Sequence, residues 1–200
     1  MAEKKRDIDF GKKASEYDKS WGRVSRRFYR LLLEHVELKP GMTVLDAGCG
    51  TGTILREMGD ACSINGYGID LQENMIKEAK RKCPEMNIQV SRCEETPFKD
   101  NTFDVVITCM AYHHFADRAG FAQEAARILK AGGCLYIADP RLPKIIRKLI
   151  NTVSNLSHIA GGFYSPHEIY KDFAAYGFEP GDYVFDGYAQ VVGLLRSPKS

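Results

Sequence analysis

The feature that most constrains the fold of this chain is an alternation of short apolar runs with helical patterns between residues 41 and 140. The apolar runs are Thr43–Ala47, Ile64–Asp70, Asn87–Ser91, Phe103–Met110 and Cys134–Pro140, and residues 51–59, 72–83 and 118–130 between them have helical patterns. The run Phe103–Met110 is apolar almost throughout, as in a central strand that is buried on both faces. The alternation predicts a mostly parallel sheet with helices on both faces, joined by right-handed crossovers.

The two ends of the chain depart from this alternation. Residues 1–40 are predicted to be mainly helical, and the helix is expected to stop at Lys39–Gly41. Near the other end, a helix should begin after Ser165, with Pro166 in its first turn and Glu168 completing a capping box. Two strand-like runs joined by a short Asp-Gly turn follow, which indicates a hairpin. We find no internal repeat and no linker, so we expect a single domain over residues 1–200.

Charge and cysteine usage narrow the classes of protein. The 28 basic and 26 acidic side chains leave a net charge of +2; residues 1–40 contribute 11 − 7 = +4 and the remainder 17 − 19 = −2. A net charge of +2 is too small to indicate a nucleic-acid partner. The basic excess of residues 1–40 is explained more simply by a solvated helix face than by a specific anionic partner. The six cysteines form no C-x-x-C pair and no metal-ligand spacing, so no metal site is expected. With a charged N-terminus and no apolar run of membrane-spanning length, we expect a cytoplasmic protein.

The stretch "VLDAGCGTG", Val44–Gly52, places three glycines directly after the first predicted strand. Ligands of open parallel sheets bind beyond the carboxyl ends of the strands, so this loop is a candidate ligand site. A dinucleotide fingerprint would need glycine at position 53, which is Thr53, and the Gly-Lys-Ser/Thr ending of a P-loop is absent. The spacing therefore excludes an NAD-binding oxidoreductase. Asp70 ends the second predicted strand, where an acid can bind a ribose diol, and so the pattern favours a nucleoside ligand without a pyrophosphate.

Residues 15–195 resemble the class I S-adenosylmethionine (SAM)-dependent methyltransferases, in the group that includes ubiquinone/menaquinone-biosynthesis and sterol methyltransferases. The resemblance depends on "VLDAGCGTG", "GID" at 68–70, "TPFKDNTFDVVI" at 96–107, "YHHF" at 112–115 and "RILKAGGCLYIAD" at 127–139. It implies a Rossmann-like α/β fold with seven strands in the order 3-2-1-4-5-7-6, strand 7 antiparallel. It also implies SAM as the cofactor and S-adenosylhomocysteine as the product.

The resemblance assigns cofactor-binding roles to residues of four loops. Around the methionine portion of SAM it places the loop residues Asp46, Ala47, Gly48, Cys49, Gly50 and Gly52, with Asp46 towards the ammonium group. Asp70 would bind the ribose, Leu71 would pack against the adenine, and Met110 would flank the sulfonium. Arg92, Cys93 and Glu94 would meet the adenine edge. Here the chain departs from the family, which commonly has Asp-Ala where this chain has Arg92 and Cys93, and arginine cannot accept a hydrogen bond from the adenine amino group.

The acceptor side of the site is less clearly marked. His113 or His114 would act as acid or base, although either histidine could instead cap the loop or pack against the cofactor. The resemblance also makes Tyr17 a catalytic-site candidate that closes over the methyl group from an N-terminal helical lid, residues 1–40; the alternative is an ordinary core tyrosine. Residues 141–164 form a lid-like insertion with an amphipathic helix at 144–153. We expect this helix over the substrate pocket, with a weak membrane-surface contact as the alternative.

The function implied by the resemblance is transfer of a methyl group from SAM to an acceptor. No Asn-Pro-Pro-Tyr-like motif follows the fourth strand, where "CMAYHHF" stands, which disfavours the amino-methylating DNA and protein-glutamine enzymes of the family. A small-molecule acceptor is therefore expected, for a monomeric or homodimeric enzyme. The alternative is a SAM- or S-adenosylhomocysteine-binding regulatory or partner protein without catalysis.

Overall fold

The computed structural model of the chain describes the backbone of residues 14–156 and 162–198, and the side chains of residues 22–153 and 162–198. The strands are β1 Thr43–Ala47, β2 Asn65–Asp70, β3 Asn87–Val90, β4 Phe103–Cys109, β5 Leu129–Pro140, β6 Phe178–Asp186 and β7 Ala189–Arg196. The helices are α1 Ala14–His35, α2 Thr53–Ala61, α3 Glu73–Lys82, α4 Arg118–Ile128, α5 Lys144–Leu156 and α6 Pro166–Ala174, with a short 3-10 helix at Tyr112–His114. No helix in these ranges combines the length and the apolar character that a membrane crossing requires.

The seven strands form one sheet in the order β3-β2-β1-β4-β5-β7-β6. Strands β1 to β5 pair in parallel, and β7 lies antiparallel between β5 and β6. The strand order and the antiparallel seventh strand that the sequence predicts are both confirmed. In this order β1 and β4 are central, so the loops that follow them meet near the middle of one edge of the sheet.

Alternate residues of the central strands enter two different cores, which places helices on both faces of the sheet. Val44 and Val105 pack in a core with residues of α1 and α2. Their neighbours Leu45 and Val106 pack in the opposite core, which contains Phe121 of α4 and the side chains of α6. Because both faces of the strands are covered, their near-continuous apolar character is explained.

The end of α4 differs from the sequence prediction. A helix was expected to extend to Lys130 and to be closed by glycines 132 and 133, but α4 ends at Ile128 and β5 begins at Leu129. Leu129 already pairs with Phe103 of β4, and the register then shifts before Cys134 pairs with Val105. A positive φ of 75° at Gly132 lies within this irregularity, so the glycine turns a strand rather than capping a helix.

Candidate cofactor site

A cavity lies beyond the carboxyl ends of β1, β2 and β4, where the fold brings four loops together. Its lining from the predicted set comprises Asp46, Gly48, Cys49, Gly50, Asp70, Leu71, Arg92, Cys93, Glu94, Met110 and His114. Further lining residues, which the sequence did not single out, are Tyr29, Thr51, Ile54, Gln72, Met75, Cys109, Ala111, Phe115 and Ala116. Three of the candidates, Ala47, Gly52 and His113, do not line the cavity as it is formed by the described residues.

The three loop glycines have different physical roles, although all have positive φ. A Cβ at Gly48 would lie 2.6 Å from the Cβ of Ala111, so this glycine lets the loops after β1 and β4 approach each other. A Cβ at Gly50 would meet no atom within 4 Å. A Cβ at Gly52 would lie 3.1 Å from the Cα of Ala79, so Gly52 permits close packing of α2 against α3. Gly52 therefore supports the loop from behind, and its placement around the methionine portion stays a prediction.

Asp70 holds the glycine loop in place. Its Oδ2 accepts a hydrogen bond from the backbone N–H of Gly50 at 3.0 Å, and its Oδ1 accepts one from the N–H of Gln72 at 2.9 Å. Burial raises the pKa of Asp70, and these backbone hydrogen bonds oppose that rise. A carboxylate has about four acceptor positions, so Asp70 retains capacity for hydroxyl donors from a ligand.

Asp46 is a buried carboxyl group without a hydrogen-bond partner among the described residues. The residue is 1% exposed, and neither of its carboxyl oxygens makes a hydrogen bond. Burial, and secondly the charge of Asp70, raise the pKa of Asp46 to about 8. An unsatisfied buried carboxyl group is costly unless a ligand completes its hydrogen bonds. Its position in the cavity lining marks the place of a donor, preferably a cationic one.

The loop after β3, which also lines the cavity, contains the residues at which this sequence departs from the family pattern. Arg92 Nη2 pairs with Glu94 Oε1, and both residues line the cavity. Between them Cys93 is buried, and burial raises the pKa of its thiol well above the ordinary value. The Arg92 charge is thus neutralised within its own loop.

Some of the lining that sequence reasoning missed has an identifiable signal. Met75 of α3 and Ile54 of α2 belong to the apolar sides of helices that follow strand ends, so their positions near the site could have been found from helical spacing. Tyr29 of α1 also lines the cavity, but nothing in the local sequence shows that α1 reaches the loops after β1. Met110 has a positive φ of 56°, which is unusual for a residue other than glycine and marks a constrained turn after β4.

Comparison with known proteins agrees with this geometry. Residues 45–137 match the family model described as a methyltransferase domain. The chain is 32% identical over 150 residues to a demethylmenaquinone methyltransferase of Chlorobaculum parvum, an alignment that covers 73% of this chain and 61% of the relative. It also superposes with a TM-score of 0.81 and 21% identity on a chain from the complex of the Haloferax volcanii Trm112 activator with a methyltransferase, covering 96% and 99% of the two chains. The chain has the fold of the class I SAM-dependent methyltransferases.

The matches cover only part of the curated relatives, so the activities of those whole proteins are not assigned to this chain by similarity alone. The chain spans between 35% and 61% of the length of the first three curated relatives that it matches. A geranyl diphosphate C-methyltransferase of Streptomyces coelicolor, solved with Mg2+, geranyl diphosphate and S-adenosylhomocysteine, has a TM-score of 0.73 at 17% identity, covering 92% of this chain and 85% of its own. At that identity the likeness shows the fold alone.

The two candidate histidines occupy different positions relative to the cavity. His114 lines the cavity, and burial, together with the neighbouring His113, lowers the pKa of His114 to about 3. His113 lies behind it, buried, with its Nδ1 at 2.8 Å from Oδ1 of Asp139. The two rings are 3.9 Å apart between centroids. Asp139 was not singled out from the sequence, although it ends a strand next to the site as Asp46 and Asp70 do.

Two further candidates, Tyr17 and the helix expected at 144–153, are not among the described residues that line the cavity. The side chain of Tyr17 lies outside the described residues, although its backbone is part of α1. The helix expected at 144–153 is present as α5. Its apolar side chains are exposed in this structure, so the predicted lid over the substrate pocket stays a prediction.

Proposed function

We propose that this protein is a SAM-dependent methyltransferase that acts on a small organic acceptor and releases S-adenosylhomocysteine. The observation that carries the proposal is Asp46, a buried carboxyl group with two unsatisfied oxygens in a cavity bordered by a glycine loop. A cation with N–H donors satisfies such a group, and the ammonium group of SAM has both properties. SAM also carries a ribose diol, for which Asp70 retains acceptor capacity.

In the bound enzyme, SAM would supply an activated methyl group on its sulfonium. The protein then has to bind, orient and exclude water. Asp46 would hold the ammonium end, Asp70 the ribose, and the apolar side chains of Leu71 and Met75 would contact the adenine. Burial lowers the pKa of His114, so its imidazole is neutral at physiological pH; the same shift makes it a weak base that assists proton removal from an acceptor only modestly.

A small acceptor is supported by the names of the relatives. They include methyltransferases named for demethylmenaquinone and for 2-methyl-6-phytyl-1,4-hydroquinone. The sequence after β4 also lacks the motif of the enzymes that methylate exocyclic amines of DNA. Neither observation identifies the atom that receives the methyl group.

The binding part of the proposal is tested by calorimetric titration of SAM and S-adenosylhomocysteine into the protein. Asp70→Ala should weaken binding severely, whereas Asp60→Ala, an exposed acid on α2, is the matched control and should bind as wild type does. Wild-type protein that binds neither nucleoside would overturn the proposal.

The catalytic part is tested by incubating the protein with SAM labelled on its methyl group and an extract of small metabolites. Transfer of label to one compound, over repeated turnovers, supports the enzyme. Arg92, which stands where the family commonly has aspartate, favours a second candidate, a non-catalytic SAM-binding regulator. Tight binding with no labelled product from any extract would favour that regulator.

A further inference from the structure

Helix α5 exposes the side that a surface helix normally buries. Its apolar side chains lie on one arc of the helix, with exposed fractions of 83% for Ile145, 65% for Leu149 and 56% for Val153. Ile146 and Ile150 on the same arc are also exposed. We call these five residues the α5 stripe. An amphipathic helix of a soluble domain usually turns such a stripe towards the core.

Two polar residues of α5, Arg147 and Asn151, face the body of the protein instead, and specific contacts hold them there. Arg147, with a side chain only 12% exposed, makes a 3.0 Å ion pair with Glu168 at the start of α6. Asn151 makes two hydrogen bonds with Phe163: its Nδ2 donates to the carbonyl at 2.8 Å, and its Oδ1 accepts from the N–H at 2.9 Å. The outward direction of the α5 stripe is therefore fixed by the fold.

The charged side chains of the segment that carries the α5 stripe are all basic. Arg141, Lys144, Arg147 and Lys148 are the charged residues of the segment 141–153, which contains no acid. Lys144 and Lys148 are exposed. An exposed apolar stripe bordered by lysines is typical of a helix that lies in the interface of an anionic membrane, with its apolar face among the acyl chains.

Exposed aromatic side chains continue this surface beyond α5. The Arg141 guanidinium lies 4.4 Å from the centroid of the Phe185 ring, and the Arg141 N–H donates to the Tyr188 carbonyl at 2.6 Å. Phe185 and Tyr188 are 55% and 43% exposed. Aromatic rings are favoured at the level of lipid headgroups, so the rim of the β6–β7 hairpin is suited to the same interface.

We propose that α5 and the adjoining hairpin rim dock this protein on an anionic lipid surface. Two other occupants fit the contacts less well. Pairing of two copies through the α5 stripe would bring their lysines close together, which is unfavourable. Closure of the stripe over the cofactor cavity would break the contacts of Arg147 and Asn151. The docking surface follows directly after β5, whose carboxyl end is at the edge of the sheet where the cavity opens.

Flotation with lipid vesicles tests the proposal without any need for catalysis. The protein should bind vesicles that contain phosphatidylglycerol, and bind phosphatidylcholine vesicles weakly. Lys144→Gln/Lys148→Gln should weaken binding about 30-fold, because each lysine near an anionic surface contributes favourably. Ile145→Gln/Leu149→Gln should reduce it at least about tenfold through lost apolar contact. Both pairs are exposed, so the variants should fold.

The matched controls lie elsewhere on the surface. Lys77→Gln/Lys80→Gln removes two exposed charges from α3, and Val90→Gln changes an exposed apolar residue on β3, at the opposite edge of the sheet from β6. Both controls should bind vesicles as wild type does.

Two results would overturn the docking proposal. One is equal binding to neutral and anionic vesicles, or no binding to either. The other is a dimer, seen by analytical ultracentrifugation, that dissociates in Ile145→Gln/Leu149→Gln, because it would assign the α5 stripe to a second copy. SAM titration of the same samples separates this proposal from the proposed function, since loss of SAM binding with vesicle binding retained counts against the function alone.

Discussion

Asp46 is the residue whose ionisation should control cofactor affinity. With its pKa raised to about 8 by burial and by Asp70, the carboxyl group is mostly protonated in the free protein at neutral pH. An ammonium group prefers the carboxylate, so binding SAM should release a proton. The affinity for SAM should therefore rise with pH, by up to about tenfold per unit, and level off above the pKa of Asp46.

Comparison with Asp46→Asn isolates this effect from titration of the ligand itself. The ratio of the variant's Kd to that of wild type should grow as the pH is raised towards about 8 and be constant above it. Calorimetry in buffers with different ionisation enthalpies measures the released proton directly. A ratio that does not change with pH would mean that Asp46 does not face the ammonium group.

Substitutions at two glycines of the same loop should have different effects, one mainly on stability and the other mainly on SAM affinity. Gly52→Ala adds a Cβ 3.1 Å from the Cα of Ala79 at a positive φ, so it should lower the free energy of unfolding by more than the ~1–2 kcal/mol that the left-handed conformation alone costs. Gly50→Ala has only that conformational cost, because its Cβ meets open space. Gly50→Ala should nonetheless lose SAM affinity, because the Cβ is added to a loop that lines the cavity.

Chemical denaturation and SAM titration of the two variants check this prediction. Gly52→Ala should lose more unfolding free energy than Gly50→Ala. Gly50→Ala should lose more SAM affinity for each kcal/mol of stability that it loses. The reverse order would show that Gly52, rather than Gly50, is the glycine next to the ligand. The sequence identifies this loop but not these separate roles, because the contact of Gly52 with Ala79 joins two different helices.

At the scale of elements, the segment after β4 meets the end of β5 in the pair of His113 and Asp139. If His114 accepts a proton from the acceptor, its lowered pKa makes it a weak base, so His114→Ala should reduce kcat by no more than about 10²-fold, the lower end of the range for general bases, with unchanged SAM affinity. Because the pKa of His114 is lowered to about 3, the rate should show no acidic limb at the ordinary histidine pKa. Asp139→Asn should have a smaller effect, as expected for a positioning residue that acts through His113.

Rate measurements against pH on these two variants, with Asp100→Asn on an exposed loop as the control, test that division of roles. Equal losses in kcat for His114→Ala and Asp139→Asn would instead place the proton transfer on His113.

Element identity was more predictable than element orientation. The alternation of apolar runs was enough for the five parallel strands, because each run and each helix is a local pattern. The positions of Asp46 and Asp70 at strand ends beside the cavity were predictable in the same way. The direction of α5 was not predictable, because amphipathicity shows which side is apolar and not which side faces the body. That side is set by Arg147 with Glu168 and by Asn151 with Phe163, contacts between segments whose proximity no local pattern reveals.

At the scale of the whole molecule, the single seven-stranded sheet connects the candidate cofactor site to the cores on its two faces. Val44 and Leu45 of β1 enter opposite cores, and Asp46, the next residue of the same strand, lines the cavity. A ligand that binds the folded cavity should therefore stabilise the entire domain in one transition. At a concentration of 100 times its Kd, S-adenosylhomocysteine should add about 2.7 kcal/mol to the free energy of unfolding. For a domain of this size that corresponds to a rise in Tm of roughly 5–11 °C.

Thermal unfolding followed at the same time by far-UV and near-UV circular dichroism measures this coupling. Both signals should shift together, because the helices on each face share the same strands. Asp70→Ala should remove the shift, while Asp60→Ala retains it. A near-UV transition that moves while the far-UV transition stays in place would show that the loops around the cavity are stabilised separately from the sheet. In that case the hydrogen bond from Gly50 to Asp70 would stabilise only the loops around the cavity, and the strands would unfold independently of the ligand.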